Sequence, residues 1–304
     1  MSNFSSTPLN PWLRLFILTG FVFLGAFVGQ LLIQLTHEPP INLSQQLADS
    51  PQLYRGFLLH SQAIMASCIF IGAPWLYWRL IEQKPFTYFF QWHRPYPYPI
   101  LLTLGLVFSF MLVNTLFIQW NLSIKLPAFL RAFEQWAQNK EAELRRLTEL
   151  LTTFFSVSEL LRGVLVMGVI PAIGEELLFR GIVQNLFHSI MQHAHLAIYA
   201  SALLFSAIHL QFYGLVPRFL LGVLFGYVYW WTKDLTFPIV AHLFNNAFTL
   251  VILFFYQQGL VKLDIQTPQA LPLSVIALFA AISLVLAFAL QRHSKQLHNP
   301  SIKS

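Results

Sequence analysis

The sequence predicts an all-α membrane protein of about eight transmembrane helices with both termini cytoplasmic, and three observations carry that expectation. Of its 304 residues, 56% are hydrophobic and only 10% charged, whereas soluble chains are about 25% charged. The apolar residues come in runs rather than periodic stripes, and the runs approach the ~20 residues that a spanning helix needs. Lys and Arg gather in alternate short loops, as cytoplasmic retention of positive charge requires.

The runs, in order, are Leu15–Leu35, Phe57–Leu80, Ile100–Trp120, a stretch around Leu160–Phe187, Leu196–Tyr213, Leu215–Trp231, Leu235–Tyr256 and Leu271–Leu290. The first is longer than a signal-peptide core and has no small-residue cleavage site behind it, so it reads as a retained span. Arg14 precedes the first run. Arg79, Lys84 and Arg94 separate the second from the third, Lys233 follows the sixth, and Arg292, Lys295 and Lys303 lie in the tail. An even number of spans with both ends inside accommodates all four groups.

Asn121–Thr152 breaks the apolar pattern. Arg131, Glu134, Lys140, Glu141, Glu143, Arg145, Arg146 and Glu149 alternate there with Phe129, Leu130, Phe133, Trp136, Leu144 and Leu147 at three- and four-residue spacings. That pattern is an amphipathic connector helix around 127–151, with aromatic residues suited to the bilayer interface. The chain therefore divides into a region of three spans plus this helix (1–156), a second half of closely spaced spans (157–256), and a last span with a basic tail (257–304). The longest other loops are Thr36–Arg55 and Gln83–Pro99.

The net charge of +6 reads as topology and contact with anionic membrane lipids. No clustered basic, aromatic-rich surface suggests nucleic acid. Cys68 is alone and apolar in its setting, which excludes an intramolecular disulfide and a cysteine metal site. Nothing in the sequence speaks to oligomeric state.

Three polar motifs interrupt the spans of the second half. An ionisable side chain at bilayer depth costs at least about 2.5 to 3.5 kcal/mol and points to function. In GEELLFR, Glu176 and Arg180 stand four apart, share a helix face and can neutralise one another. Glu175 is rotated by roughly 100° and has no local partner. FSAIHL stacks Phe205 and His209, and AHLFNN stacks His242 and Asn246, on one face each. Any one such pair is more often an interhelical fastener than a catalyst. Three on three neighbouring spans, with few in the first three spans, point instead to a shared cavity.

Those residue types support hydrolysis. Glu175 can serve as general base toward a water that His209 orients or shares, while His242 and Asn246 can donate to a developing oxyanion. Glu176 and Arg180 would hold the fourth span in register. Ser206 has no third triad member, and Cys68 lies in the other half of the chain.

EELLFR, FSAIH and HLFNN resemble the ordered motifs EExxxR, FxxxH and HxxxN of the CPBP family, the CAAX protease and bacteriocin-processing proteins, over roughly Val157–Tyr256. The resemblance implies an intramembrane glutamic endopeptidase in which Glu175 and His209 activate water, His242 and Asn246 form the oxyanion pocket, and Glu176, Arg180 and Phe205 support them. It implies as partners membrane lipids and a protein or peptide substrate, lipid-modified in the CAAX case. The family's distribution implies a bacterial inner membrane.

The cofactor expectation is none. Zinc held by Glu175, His209 and His242 with an open water position is the alternative, although no HExxH spacing is present. Two non-hydrolytic alternatives use the same residues. One is a protein that acts by binding, as in bacteriocin immunity or scaffolding. The other is a proton- or ion-coupled transporter, against which the lack of paired broken spans argues. His188, His193 and His195 read as polar residues closing an interfacial loop rather than as a metal site or pH sensor. One geometric tension stands. At ~1.5 Å rise per residue, His209 lies about 20 Å into its span and His242 about 10 Å into its own, so they meet only if helices tilt or Pro171 kinks the fourth span.

Overall fold

A computed structural model describes residues 9–36, 51–83, 86–90, 97–262 and 271–298; Lys84, Arg94 and Lys303 of the charge pattern lie outside them. The described residues form helices and connecting turns, with no strand among them. We label the main helices α1 (Pro11–Thr36), α2 (Tyr54–Glu82), α3 (Pro97–Ser123), α4 (Arg131–Leu151), α5 (Val157–Met191), α6 (Ala194–Ala207), α7 (Leu215–Thr232), α8 (Thr236–Gln257) and α9 (Leu273–His298). Seven are long and apolar enough to cross a membrane, and α6 is a shorter apolar helix. Helices of this number, length and apolarity make the chain an integral membrane protein.

The count differs from eight full spans at the fifth run. α6 has 14 residues, about 21 Å of helix, and ends before His209. The imidazole explains the stop: His209 Nδ1 bonds the Phe205 carbonyl at 2.9 Å, the acceptor that the residue's own backbone N–H would use in a continuing helix. The chain then turns through Leu210 at a positive φ of 54°. This break also answers the depth tension, because His209 sits at the end of a short helix and not inside a long one.

α5 is the organising element. Its 35 residues contain two widened π-type stretches, Val164–Val169 and Leu177–Val183, on either side of Pro171 and the two glutamates. Pro171 has no N–H for the carbonyl four residues back. Asn246 of α8 supplies a donor from outside, its Nδ2 lying 3.2 Å from the Met167 carbonyl oxygen.

Small residues let neighbours close on α5, the usual way membrane helices associate without a hydrophobic drive. A Cβ on Gly174 would lie 2.6 Å from Phe70 Cβ of α2, and one on Gly181 would lie 2.8 Å from the Trp78 ring. On α7, Gly222 faces Ala202 and Phe205 of α6, while Gly226 faces Ile198 and Gln184. The largest buried cluster gathers Tyr77 and Trp78 of α2, Leu177–Phe179 of α5, Phe205 and Tyr229 around this helix. α9 packs along α3 on the far side, through Leu102, Leu106 and Leu290. A hydrogen bond from Ser283 to Ser109 joins the same two helices.

α4 is amphipathic as expected. It leaves Phe133 and Trp136 exposed and bonds across itself through Arg145 and Glu149. Arg55 of α2 anchors the following turn, reaching Glu159 at 2.9 Å and the Leu151 carbonyl at 3.4 Å.

Candidate active site

Glu175 and Glu176 sit at the end of the short α-turn Ile170–Glu176, where the second π stretch of α5 begins. Their environments diverge as the helical rotation between them requires. Glu176 is 0% exposed and Arg180 1%, while Glu175 keeps 9%.

Glu176 Oε1 accepts from Arg180 Nη1 at 2.9 Å and meets His242 Nδ1 at 2.9 Å. An ionised carboxylate only accepts, so the Nδ1 proton belongs to His242 and points at Glu176. That fixes the ring and turns Nε2 toward Glu175, whose Oε2 lies 3.9 Å away. This gap is too long for a direct hydrogen bond. A single water can sit within bonding distance of both atoms.

Aromatic rings hold the charged groups in place. The Arg180 guanidinium lies 4.9 Å from the Phe205 centroid and 5.6 Å from the Phe225 centroid. Its Nη2 donates to the Gly222 carbonyl at 2.9 Å. Phe225 stacks on His242 at 5.2 Å, and Phe205 stands edge-on to His242 at 6.0 Å and to His209 at 5.3 Å. Phe205 is therefore the contact through which the second motif touches the other two. Asn246, fixed by a bond from Asn245 Nδ2 to its Oδ1 at 3.1 Å, spends one amide proton on Met167 and keeps the second.

The structure thus brings Glu175, Glu176, Arg180, Phe205 and His242 to one locus, which His209 joins through its contact with the Phe205 ring, with Asn246 on the next turn of α8. Its closest imidazole contact to Glu175 comes from His242. His209 has one nitrogen committed to the Phe205 carbonyl.

Among the described residues no three His, Cys, Asp or Glu side chains are grouped closely enough to hold a metal ion. Of the loop histidines, His195 bonds the Tyr227 hydroxyl at 2.7 Å, His193 caps the start of α6 with its ring 5.6 Å from that of His195, and His188 lies against Trp230.

Residues 157–248 match the family described as Type II CAAX prenyl endopeptidase Rce1-like. Over those residues the chain is similar to that family of proteases. No curated protein and no solved structure matches the chain.

The Rce1-like core also contains contacts that the motif spacing did not reveal. Arg180 and Gln184, four apart on α5, donate to the carbonyls of Gly222 and Gly226, four apart on α7. The signal was present as the glycine pair in GVLFG, inside an apolar run. Arg218, a lone cation in the same run, donates to Gln211 Oε1 at 2.6 Å, and Gln211 Nε2 reaches Glu141 of α4 at 3.4 Å. Burial raises the pKa of Glu141 against the opposing pull of Arg218. The amphipathic helix is thereby tied to the turn that carries His209.

Proposed function

We propose that the chain is an intramembrane glutamic endopeptidase that hydrolyses a peptide bond of a membrane-associated protein or peptide. Glu175 is the base. The observation that carries this reading is the asymmetry of the glutamate pair, with Glu176 bound by Arg180 and His242 and Glu175 left facing an imidazole nitrogen across a water-sized gap.

In the proposed reaction, Glu175 takes a proton from water while His209, through its second ring nitrogen, accepts the other water hydrogen and aims the oxygen. The resulting hydroxide adds to the scissile carbonyl carbon. The oxyanion that forms is met by the remaining Asn246 amide proton and by a proton on His242 Nε2. Collapse of the tetrahedral carbon breaks the C–N bond, and Glu175 returns its proton to the leaving nitrogen. Glu176, Arg180 and Phe205 are positioning residues, because each acts on His242 or on α5.

The Rce1-like core supports a substrate of the CAAX type, a protein with a prenylated C-terminal region, or in a bacterial inner membrane a bacteriocin-like peptide. The proposed reaction calls on Glu175 and His209 alone to activate the water, without a metal.

Reconstituted protein should therefore cleave a membrane-anchored peptide library in excess chelator as fast as without it. Loss of cleavage that zinc restores would overturn the metal-free reading, and no cleavage under either condition would overturn the peptidase reading for that substrate class.

A further inference from the structure

The end of the bundle where α1 begins and α5 and α7 finish holds a cavity of about 500 Å³ separate from the glutamate site. Among its lining residues are Arg14, Asn185, His188, Ser189, Tyr229 and Lys233. Glu82 is also in the wall, but its carboxylate is engaged by the Arg14 guanidinium and the Tyr77 hydroxyl. Arg14 and Lys233 thus bring two basic groups to a wall whose own carboxylate is already engaged.

Lys233 is its distinctive group. The residue is exposed overall, yet its Nζ lies 3.1 Å from the centroid of Trp230, and burial lowers its pKa to about 8 with no carboxylate partner among the described residues. Its backbone stands at φ 54°, closing α7 in a left-handed position that glycine or asparagine occupies more easily.

A cation in this setting gains from an anion beside it. The Tyr229 hydroxyl accepts from Asn185 Nδ2 at 3.1 Å and so has its own proton to offer. Trp12, one turn from the cavity on α1, and Tyr88 in its wall are 62% and 59% exposed. Exposed aromatic residues of this kind mark headgroup depth in a membrane protein. Arg14 and Lys233 also belong to the charge groups that the positive-inside rule assigns to the leaflet rich in anionic lipid.

We propose that this cavity binds the phosphate of an anionic phospholipid headgroup. The ammonium of Lys233, the Tyr229 hydroxyl and the Arg14 guanidinium edge not turned to Glu82 are the donors, and basic pockets between membrane helices suit such headgroups. The site is independent of the peptidase reading and stands or falls separately.

Purified full-length protein in neutral detergent would be titrated with short-chain phosphatidylglycerol, short-chain phosphatidylcholine or inorganic phosphate, with the thermal unfolding midpoint as readout. Phosphatidylglycerol alone should raise the midpoint. Its half-saturating concentration should rise about tenfold in Lys233→Gln and stay nearer wild type in Lys233→Arg, which keeps the charge if the first variant proves unstable. Lys295→Gln, a basic residue outside the cavity wall, should leave the titration unchanged. An equal shift with inorganic phosphate would assign the cavity to a free anion and overturn the lipid reading. No shift, or one that Lys233→Gln and Lys233→Arg leave untouched, would overturn the site.

Discussion

Adjacent glutamates with different surroundings are the defining feature at the residue scale. Only one of two neighbouring helical positions can share a face with the residue four further on, so Glu176 receives Arg180 and Glu175 does not. The same spacing logic made Glu175, Glu176, Arg180, Phe205, His209, His242 and Asn246 legible as a set. Their cross-helix partners were not legible, because a bond such as Asn246 to Met167 joins residues 79 positions apart and no local pattern encodes it. That bond yields a test. Asn246→Ala should destabilise the fold by about 0.6 to 1.7 kcal/mol, the range for interhelical bonds in membranes. The loss should shrink in a Pro171→Ala background, where α5 regains an N–H for the Met167 carbonyl. Equal losses in both backgrounds, measured as unfolding midpoints in a double-mutant cycle, would separate Asn246 from Pro171.

At the scale of elements, the short α6 and the paired glycines of α7 place the site. α6 was read as a full span because its composition is apolar through Tyr213. The competition of the His209 side chain for the Phe205 carbonyl ends it sooner, and hydropathy contains no term for that. The other long helices were legible within a few residues, since each must satisfy its backbone internally over a fixed thickness. The glycine pair makes the element-scale prediction. A Cβ at Gly226 would lie 2.8 Å from Ile198 Cγ2 and 2.9 Å from Gln184 Oε1. Gly226→Ala should therefore cost about 1 to 3 kcal/mol through overpacking, seen as loss of monodisperse protein on size exclusion after mild heating. Unchanged behaviour would show that α7 can slide along α5 without consequence.

For the whole molecule, the amphipathic helix is joined to the Rce1-like core through Glu141. Its folded pKa is raised above 4.5 by burial. Folding is then opposed once pH rises through that range, because the native state disfavours the charge. Glu141→Gln should raise the unfolding midpoint at neutral pH, and the gain should vanish below pH 4.5, where the carboxyl is protonated in both states. A gain that persists in acid would contradict burial as the cause. The all-helical membrane fold class was readable from the apolar runs. The coupling of α4 to the His209 turn was not, since Gln211 and Glu141 carry no periodic signature.

The central claim is that Glu175 is a base and not a fastener, and one comparison addresses it without a guessed substrate. New protein termini would be compared by mass spectrometry in membranes from cells expressing wild type and equally abundant Glu175→Gln, which keeps the shape of the side chain and removes its basicity. The account predicts termini found only with wild type, next to membrane-associated sequences. Identical termini in both membranes, with the physiological effect of the protein retained, would contradict it and leave a protein that acts by binding.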